Sequence, residues 1–482
     1  HLVPHLYLGY NLSYCLLDEN EMLPPWHRDP AVQRYKLLMK SRRSGFFDVE
    51  EFQVILDHFM FLLDIPEASE VLDKALSQHP GSQELMLRKA DLALINGQAE
   101  ECLRIINQLQ VLHPTDTDIL RLKAEALASI GHTYRAIEIY ESISRSDREM
   151  NPVSTQMRLA QLSAEVKGPL DAIPYWQAAI EIEQEFSLAY SELEECFENA
   201  DLLEEGMRYF SSLTDESPYN FLAWSSLGSC FRLADRFTEA IDAFGFAMVI
   251  DVDSNANKVQ MAFCFYQLDR YEESLVLYSE LHTSDPEDPS HLCCMAECLE
   301  QLEHLDLAEQ KYSACLALDP EYADARLGLA IIRDIQGEEV NAIRHIETAV
   351  GLEPENSEYW LVFARLLSKN KQDKRCRLAF ERCTQLNPED LEGNLLFLDH
   401  LLGHEEYDYV LEKVQNALQL IGNTPELYLR AIKALHETQR RDECSALIEL
   451  MVDTHEGSLE LLRDYNPFMF EDAEVLSLIK NL

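Results

Sequence analysis

Proline recurs at positions 286, 320, 354 and 388, each 34 residues after the last, and Pro80 and Pro114 repeat the interval nearer the N-terminus. A proline has no backbone N–H for a continuing helix, and it pushes the residue before it out of the helical region. Helix breaks at one fixed phase therefore cut the chain into equal units. A period of roughly 20 to 50 residues marks a stack of small supersecondary units, each too small to bury its own apolar face. Extending the register outwards places unit starts near residues 49, 83, 117, 153, 187, 221, 255, 289, 323, 357, 391 and 425, with a two-residue insertion ahead of Pro152.

The unit that begins at Phe221 shows the internal pattern most clearly. Trp224, Leu227, Gly228 and Phe231 fall on one face of a first helix, and Ala240, Phe244 and Ala247 on one face of a second. These are helical spacings of three and four. Small residues recur where two helices must approach closely, as at Ala296, Ala308 and Cys315, and again at Ala364, Cys376 and Cys383. Alternating bulk lets neighbouring helices interlock at interior density.

At these residues the chain resembles the tetratricopeptide-repeat family, whose pattern is a tryptophan, leucine-glycine, tyrosine, alanine, aromatic, alanine and proline at the same phases. The resemblance runs from residue 49 to about 456. It implies an all-α fold, an α-solenoid in which antiparallel helix pairs wind into a right-handed superhelix of about twelve repeats. We expect the repeats over residues 49–458, an N-terminal extension with a capping helix over 1–48, and a C-terminal capping helix region over 459–482. "DPAVQRYKLLMK" reads as a helix capped by Asp29 and entered at Pro30, and "MLPPW" before it as a rigid extended turn. Local departures from the pattern are Val252 at a boundary proline, Lys258 and Arg326 at the first large residue, Arg333 at an apolar phase, and Gly422 ending the eleventh unit.

Charge narrows the partners. The chain carries 86 acidic against 40 basic residues, a formal net charge of −46, so a phosphate backbone or an anionic membrane is repelled over most of the surface and a basic or neutral partner fits better. No window approaches the roughly 18 uninterrupted apolar residues of a membrane helix. The most apolar run, "VILDHFMFLLDI", contains Asp57, His58 and Asp64. The opening "HLYLGYNLSYCLL" lacks the charged start of a signal peptide.

Nine of the twelve cysteines also obey the register: Cys196, Cys230, Cys264 and Cys298 share one phase, Cys102, Cys376 and Cys444 a second, and Cys315 and Cys383 a third. Equivalent atoms in stacked pairs lie on the order of 10 Å apart, whereas a disulfide wants its Cα atoms within roughly 7 Å. The thiols therefore read as small apolar side chains at tight helix contacts, and their number points to a reducing compartment, the cytoplasm. In "HLCCMAEC", His291, Cys294 and Cys298 have no second ligand pair in register, so packing and helix capping are expected there rather than a metal.

No glycine-rich phosphate loop, paired-histidine zinc helix or strained nucleophile turn is present, and the repeats use up the chain. We expect neither catalysis nor a cofactor. Function then lies on the groove, which in the resembling family is lined mainly by the first helix of each unit. Arg88, Arg121 and Arg158 occupy groove phases with Asp91 and Glu125 between them. Such forks could take the acidic side chains or C-terminal carboxylate of an extended peptide, or pair with the adjacent acids. Arg365, Lys369, Arg430 and Lys433 form a second island. Between the two, Phe263 and Tyr266 near Ser226, Ser229, Cys293 and Cys294 read either as a pocket for an apolar side chain or as inter-unit packing.

The lysine and asparagine clamp by which some family members hold chaperone tails is absent: its phases carry Gln53 and Asp57, Leu87 and Asp91, Arg121 and Glu125. RNA binding would need a continuous basic groove, which Asp91, Glu125, Glu195 and Glu297 oppose, so no nucleic-acid partner is expected. The basic "RYKLLMKSRR" either docks on the protein's own acidic surface or takes an external anion. The expected function is a non-enzymatic scaffold or adaptor that holds peptide or protein partners in the groove. The alternative is an assembly or transport factor at the cell envelope using the same groove, which would require a leader ahead of His1. Oligomeric state is left open by the sequence.

Overall fold

Each registered proline stands two residues beyond the end of a helix. The helices Ile65–Gln78, Ala99–Leu112, Tyr271–Ser284, Leu305–Leu318, Glu339–Leu352 and Asp373–Leu386 stop just ahead of Pro80, Pro114, Pro286, Pro320, Pro354 and Pro388. Asp319, the residue between helix and Pro320, has φ −129° and ψ 101°, the extended conformation a following proline imposes. Two residues after the proline an oxygen-bearing side chain restarts the helix: Ser82, Asp116, Asp288, Asn356 and Asp390 each accept a hydrogen bond from a backbone N–H of the next first turn.

In the computed structural model the described residues are 29–471 except 42, 44, 147–151 and 456. They contain twenty-six α-helices, a closing 3-10 turn and no strand. Consecutive helices pack as pairs: Val49–Phe61 with Ile65–Gln78, Gln83–Ile95 with Ala99–Leu112, Thr117–Ser129 with Thr133–Ser146, and Pro152–Lys167 with Pro169–Ile182. Ser187–Asn199 precedes Leu203–Glu216, Phe221–Leu233 precedes Phe237–Ile250, and Asn255–Gln267 precedes Tyr271–Ser284. The series continues through Pro289–Gln301 with Leu305–Leu318, Ala323–Ile335 with Glu339–Leu352, Ser357–Lys369 with Asp373–Leu386, Leu391–Gly403 with Tyr407–Leu420, and Pro425–Glu437 with Arg441–Thr454. The chain divides into two units, His1–Asn257 and Lys258–Leu482.

Close approach within a pair depends on small residues near the start of the second helix. Ala68, Cys102, Ala136, Ala172, Ala240, Ala308, Ala342 and Cys376 are all without solvent exposure. Gly228 carries the same logic further, because a Cβ there would lie 2.6 Å from the ring of the buried Phe244. Burial raises the thiols of Cys102 and Cys230 to about 12 and that of Cys376 to about 11, so these cysteines pack as inert apolar groups. None of the eleven described cysteines is in a disulfide.

The departures from the repeat pattern have local substitutes. Trp224 and Trp360 each donate an indole N–H to a proline carbonyl six residues earlier, at 2.9 Å. Arg326 and Asn394 make the equivalent bond, to Pro320 and Pro388, at 3.1 Å. In these four units the position holds a donor to the proline carbonyl, aromatic or not. Arg333 keeps its charge at an apolar phase by pairing with Glu309 at 2.5 Å and Glu338 at 3.3 Å. Gly422 takes a left-handed φ of +97° after the helix Tyr407–Leu420.

The turn inside each pair holds one residue in the left-handed region. It is Gly97, Gly131 or Gly337 in some pairs, but Leu63, Asp201, Asp235, Asp269, Glu303, Lys371, Glu405 or Gln439 in others, with φ between 54° and 61° for these eight. The bond that closes the turn is the same in both kinds: Gln98 N–H donates to Ala93 O and Arg236 N–H to Phe231 O, both at 2.8 Å. A side chain in this region costs about 1–2 kcal/mol. Glu303→Gly and Gln439→Gly are therefore expected each to stabilise the fold by about 0.5–1 kcal/mol after glycine's own entropy cost, seen as a higher urea midpoint at unchanged slope. A lower midpoint would show that the native side chain makes a contact worth more than the strain.

At the N-terminal side the helix Pro30–Lys40, capped by Asp29 accepting from Ala31 N–H at 2.8 Å, buries Ala31, Val32 and Tyr35 against Val49–Phe61. Within the basic stretch, Arg34 turns to the protein's own Glu51 at 2.8 Å and covers the Phe47 ring at 4.2 Å. The expected turn "MLPPW" lies outside the described residues. At the other side Leu462 of the helix Ser458–Tyr465 and Met469 of the turn Pro467–Glu471 join Ile432, Ile448 and Met451 in one cluster. No described helix is long and apolar enough to cross a membrane.

Candidate protein-interaction face

First helices of neighbouring pairs touch directly at steps such as Gln83–Ile95 with Thr117–Ser129, Ser187–Asn199 with Phe221–Leu233, Pro289–Gln301 with Ala323–Ile335 and Leu391–Gly403 with Pro425–Glu437. The ninth residue of the first helices Val49–Phe61, Gln83–Ile95, Thr117–Ser129, Pro289–Gln301 and Leu391–Gly403 is a carboxylate: Asp57, Asp91, Glu125, Glu297 and Asp399. Most of these acids are met by a cation from the next pair.

Arg88 reaches back 31 residues and donates to Asp57 at 2.5 Å. Arg158 reaches back 33 residues and grips Glu125 with two parallel bonds of 2.8 and 2.7 Å, while the Tyr140 hydroxyl donates to the same carboxylate. Arg430 reaches back 31 residues to Asp399 with bonds of 3.0 and 2.6 Å; the Tyr465 ring lies 4.7 Å from its guanidinium and the Tyr465 hydroxyl donates to Asp399 at 2.8 Å. Lys433 stands 5.5 Å above the same ring. Lys369 bonds Asp334 at 2.6 Å, and Arg365 pairs with Glu392. Arg121 is held loosely, 3.7 Å from Asp118, and its side chain is 41% exposed. Each arginine singled out by phase thus has an acid of its own, tightly held at Arg88, Arg158 and Arg430.

Burial governs the acids. Asp57 and Asp91 have raised pKa values because desolvation outweighs Arg88 and Arg121 beside them. Glu194 is raised by burial and eased by hydrogen bonds from Ser226 and Ser229. Glu297 is the extreme: burial first, then the charges of Asp324, Glu300 and Glu358, lift it to about 7, and its hydrogen-bond donor is the Cys293 thiol at 3.6 Å. Glu300, one turn on, is raised by burial and accepts from the Tyr312 hydroxyl at 3.0 Å. Tyr266 stands beside this pair, its phenol raised by burial and by the charges of Glu297 and Glu300. Phe263, one turn earlier on the same helix, is 37% exposed. Phe263 and Tyr266 therefore share a face with two desolvated carboxylates, a feature that the phase reading of the aromatics alone missed. Its signal in the sequence was a ninth-position acid with no arginine following at the usual distance.

A profile of the tetratricopeptide repeat matches residues 64–126, in the same register as the helix pairs on either side. The match covers those residues alone, and the fold around them is a stack of helix pairs of the same kind. No curated protein matches it in sequence. Among solved structures, the Cut9–Hcn1 hetero-tetramer of the APC/C superposes with a TM-score of 0.43 at 12% identity, covering 84% of this chain and 92% of that one. A tetratricopeptide-repeat protein from Parabacteroides merdae gives 0.40 at 16% identity, over 59% and 98%. YrrB, described as a tetratricopeptide-repeat protein with an unusual peptide-binding site, gives 0.33 at 19% identity, over 42% and 98%.

Proposed function

We propose that this repeat protein is a non-catalytic scaffold or adaptor, working in the cytoplasm, that holds a segment of a partner protein against the face built by its first helices. We assign the twelve helix pairs of residues 49–458 to the repeats and the flanking helices to caps. The observation that carries the reading is the presentation of Phe263 and Tyr266: an exposed and a half-buried aromatic, one turn apart, on a face otherwise lined by polar groups. Aromatic anchors set in a polar rim are the residues that supply most binding energy in protein interfaces. Arg121 and Arg365, at 41% and 48% side-chain exposure, are the arginines available to a partner, whereas Arg88, Arg158 and Arg430 act as struts between neighbouring pairs.

A photo-crosslinking amino acid tests this. Placed at Phe263 it is expected to capture partner chains from a host extract, while the same group at Leu378, 64% exposed on a second helix, is not. Capture from Leu378 alone, or equally from both, would overturn the assignment of the binding face.

A further inference from the structure

Resting on that reading of the face, we propose that Glu297, with Tyr266 and Glu300 beside it, takes an arginine side chain from an extended, basic segment of the partner protein. The protein itself shows what this kind of site accepts. At three steps of the repeat a ninth-position carboxylate is answered by a guanidinium of the following pair, Arg88 on Asp57, Arg158 on Glu125 and Arg430 on Asp399. With the insertion near Pro152 removed, the arginine stands at the sixth position of its first helix each time. The sixth position facing Glu297 is Gly328. It has no side chain, and the Tyr312 ring fills the space a Cβ would need, 2.1 Å from it. Tyr312 directs its hydroxyl to Glu300, so the counterpart of the Tyr140 bond to Glu125 is missing from Glu297 as well.

Glu297 is thus a half-buried carboxylate at a position where, among the described residues, no guanidinium from the following pair answers it. The charges that act on it most strongly are all negative, Asp324, Glu300 and Glu358. Glu195, also a ninth-position acid and followed at the sixth position by Ser226, is exposed, so water solvates it and no cation is required. The walls suit the same guest. Around Asp399 the completed site sets a tyrosine ring 4.7 Å from the arginine carbon and lets its hydroxyl share the acid. Tyr266 supplies the corresponding ring beside Glu297, and a planar guanidinium can stack on a ring while its fork bonds a carboxylate. Charge complementarity over longer range agrees, since the body carries 86 acids against 40 bases.

The test uses the full chain and a random peptide library, followed by a matched pair of peptides in which one arginine is replaced by citrulline, which keeps the shape and loses the charge. Enrichment of arginine-bearing peptides is expected, with the arginine form binding about 30-fold or more tighter than the citrulline form at pH 8 and losing that preference in Glu297→Gln. Equal binding of the two forms, or enrichment of acidic or purely apolar peptides that still crosslink from Phe263, would sink the arginine assignment and leave the binding face standing. A library from which nothing is enriched would count against both. Lysine peptides binding as tightly as arginine peptides would reject the planar-fork argument.

Discussion

Arg158→Ala is expected to destabilise the protein by about 3–5 kcal/mol. Glu125 is 8% exposed, and it is held by both arms of Arg158 and by the Tyr140 hydroxyl. Removing the guanidinium leaves a carboxylate in a place where water cannot replace the lost partner. The cost is therefore that of an uncompensated buried charge and exceeds the worth of an exposed ion pair. The second substitution Glu125→Gln in the Arg158→Ala background should recover a large part of the loss, because it removes the charge that the first one stranded. Urea unfolding of the two single variants and the double variant closes the cycle. A cost under about 1 kcal/mol for Arg158→Ala, with partner capture abolished, would instead make Arg158 a binding residue and the arginines of the first four pairs a ligand ladder.

Glu297→Gln should do the opposite and stabilise the fold, in a pH-dependent way. With a native pKa of about 7 against an ordinary 4.5, the folded protein holds a proton on Glu297 that the unfolded chain has released. Between roughly pH 4.5 and 7 the native state thus binds more protons, and stability falls as pH rises through that window. At about 1.4 kcal/mol per unit, the ionised group costs on the order of 3 kcal/mol at pH 8. The groups around it are Cys293, Cys294 and Glu300 on its own helix, Tyr312 on the second helix of its own pair, Tyr266 and Tyr278 on the two helices of the preceding pair, and Asp324 and Glu358 beyond. None carries positive charge. Stability curves of the two proteins should coincide near pH 4, diverge up to pH 7 and run parallel above it, with the variant more stable. Parallel curves throughout would mean that Glu297 is ordinarily solvated. A residue whose neutralisation stabilises the fold while removing partner binding is the signature of a functional site held at the expense of stability.

The fold was legible because its determinants are local. A proline two residues past a helix, an oxygen-bearing cap two residues later, and a small residue where the second helix crosses the first all act within one unit and recur at one interval. One departure found a local substitute that only the coordinates show: Arg326 bonds the Pro320 carbonyl as Trp224 and Trp360 bond the prolines ahead of them. The left-handed turn residues were missed for a related reason. Glycine at 97, 131 and 337 marks the place, but Asp235 or Gln439 carries no such mark, and the turn is imposed on them by the packing of the two helices that flank it.

The face was only partly legible. Phase singled out Arg88, Arg121 and Arg158 in one unit, and Phe263, Tyr266, Arg365 and Arg430 in the other, as groove residues, since residues one repeat apart share an environment whatever the details. Whether an arginine on that surface is a strut or a free contact depends on a carboxylate some 31 residues away and on how much water reaches both, as the contrast between buried Arg430 and loosely held Arg121 shows. Helix breaks, caps and small-residue contacts are short-range, so the sequence by itself determined a stack of helix pairs. Desolvation is a property of the assembled surface, so only the tertiary structure decided that these arginines are mostly occupied and that Glu297, with Gly328 at the sixth position of the next first helix, is raised by its surroundings.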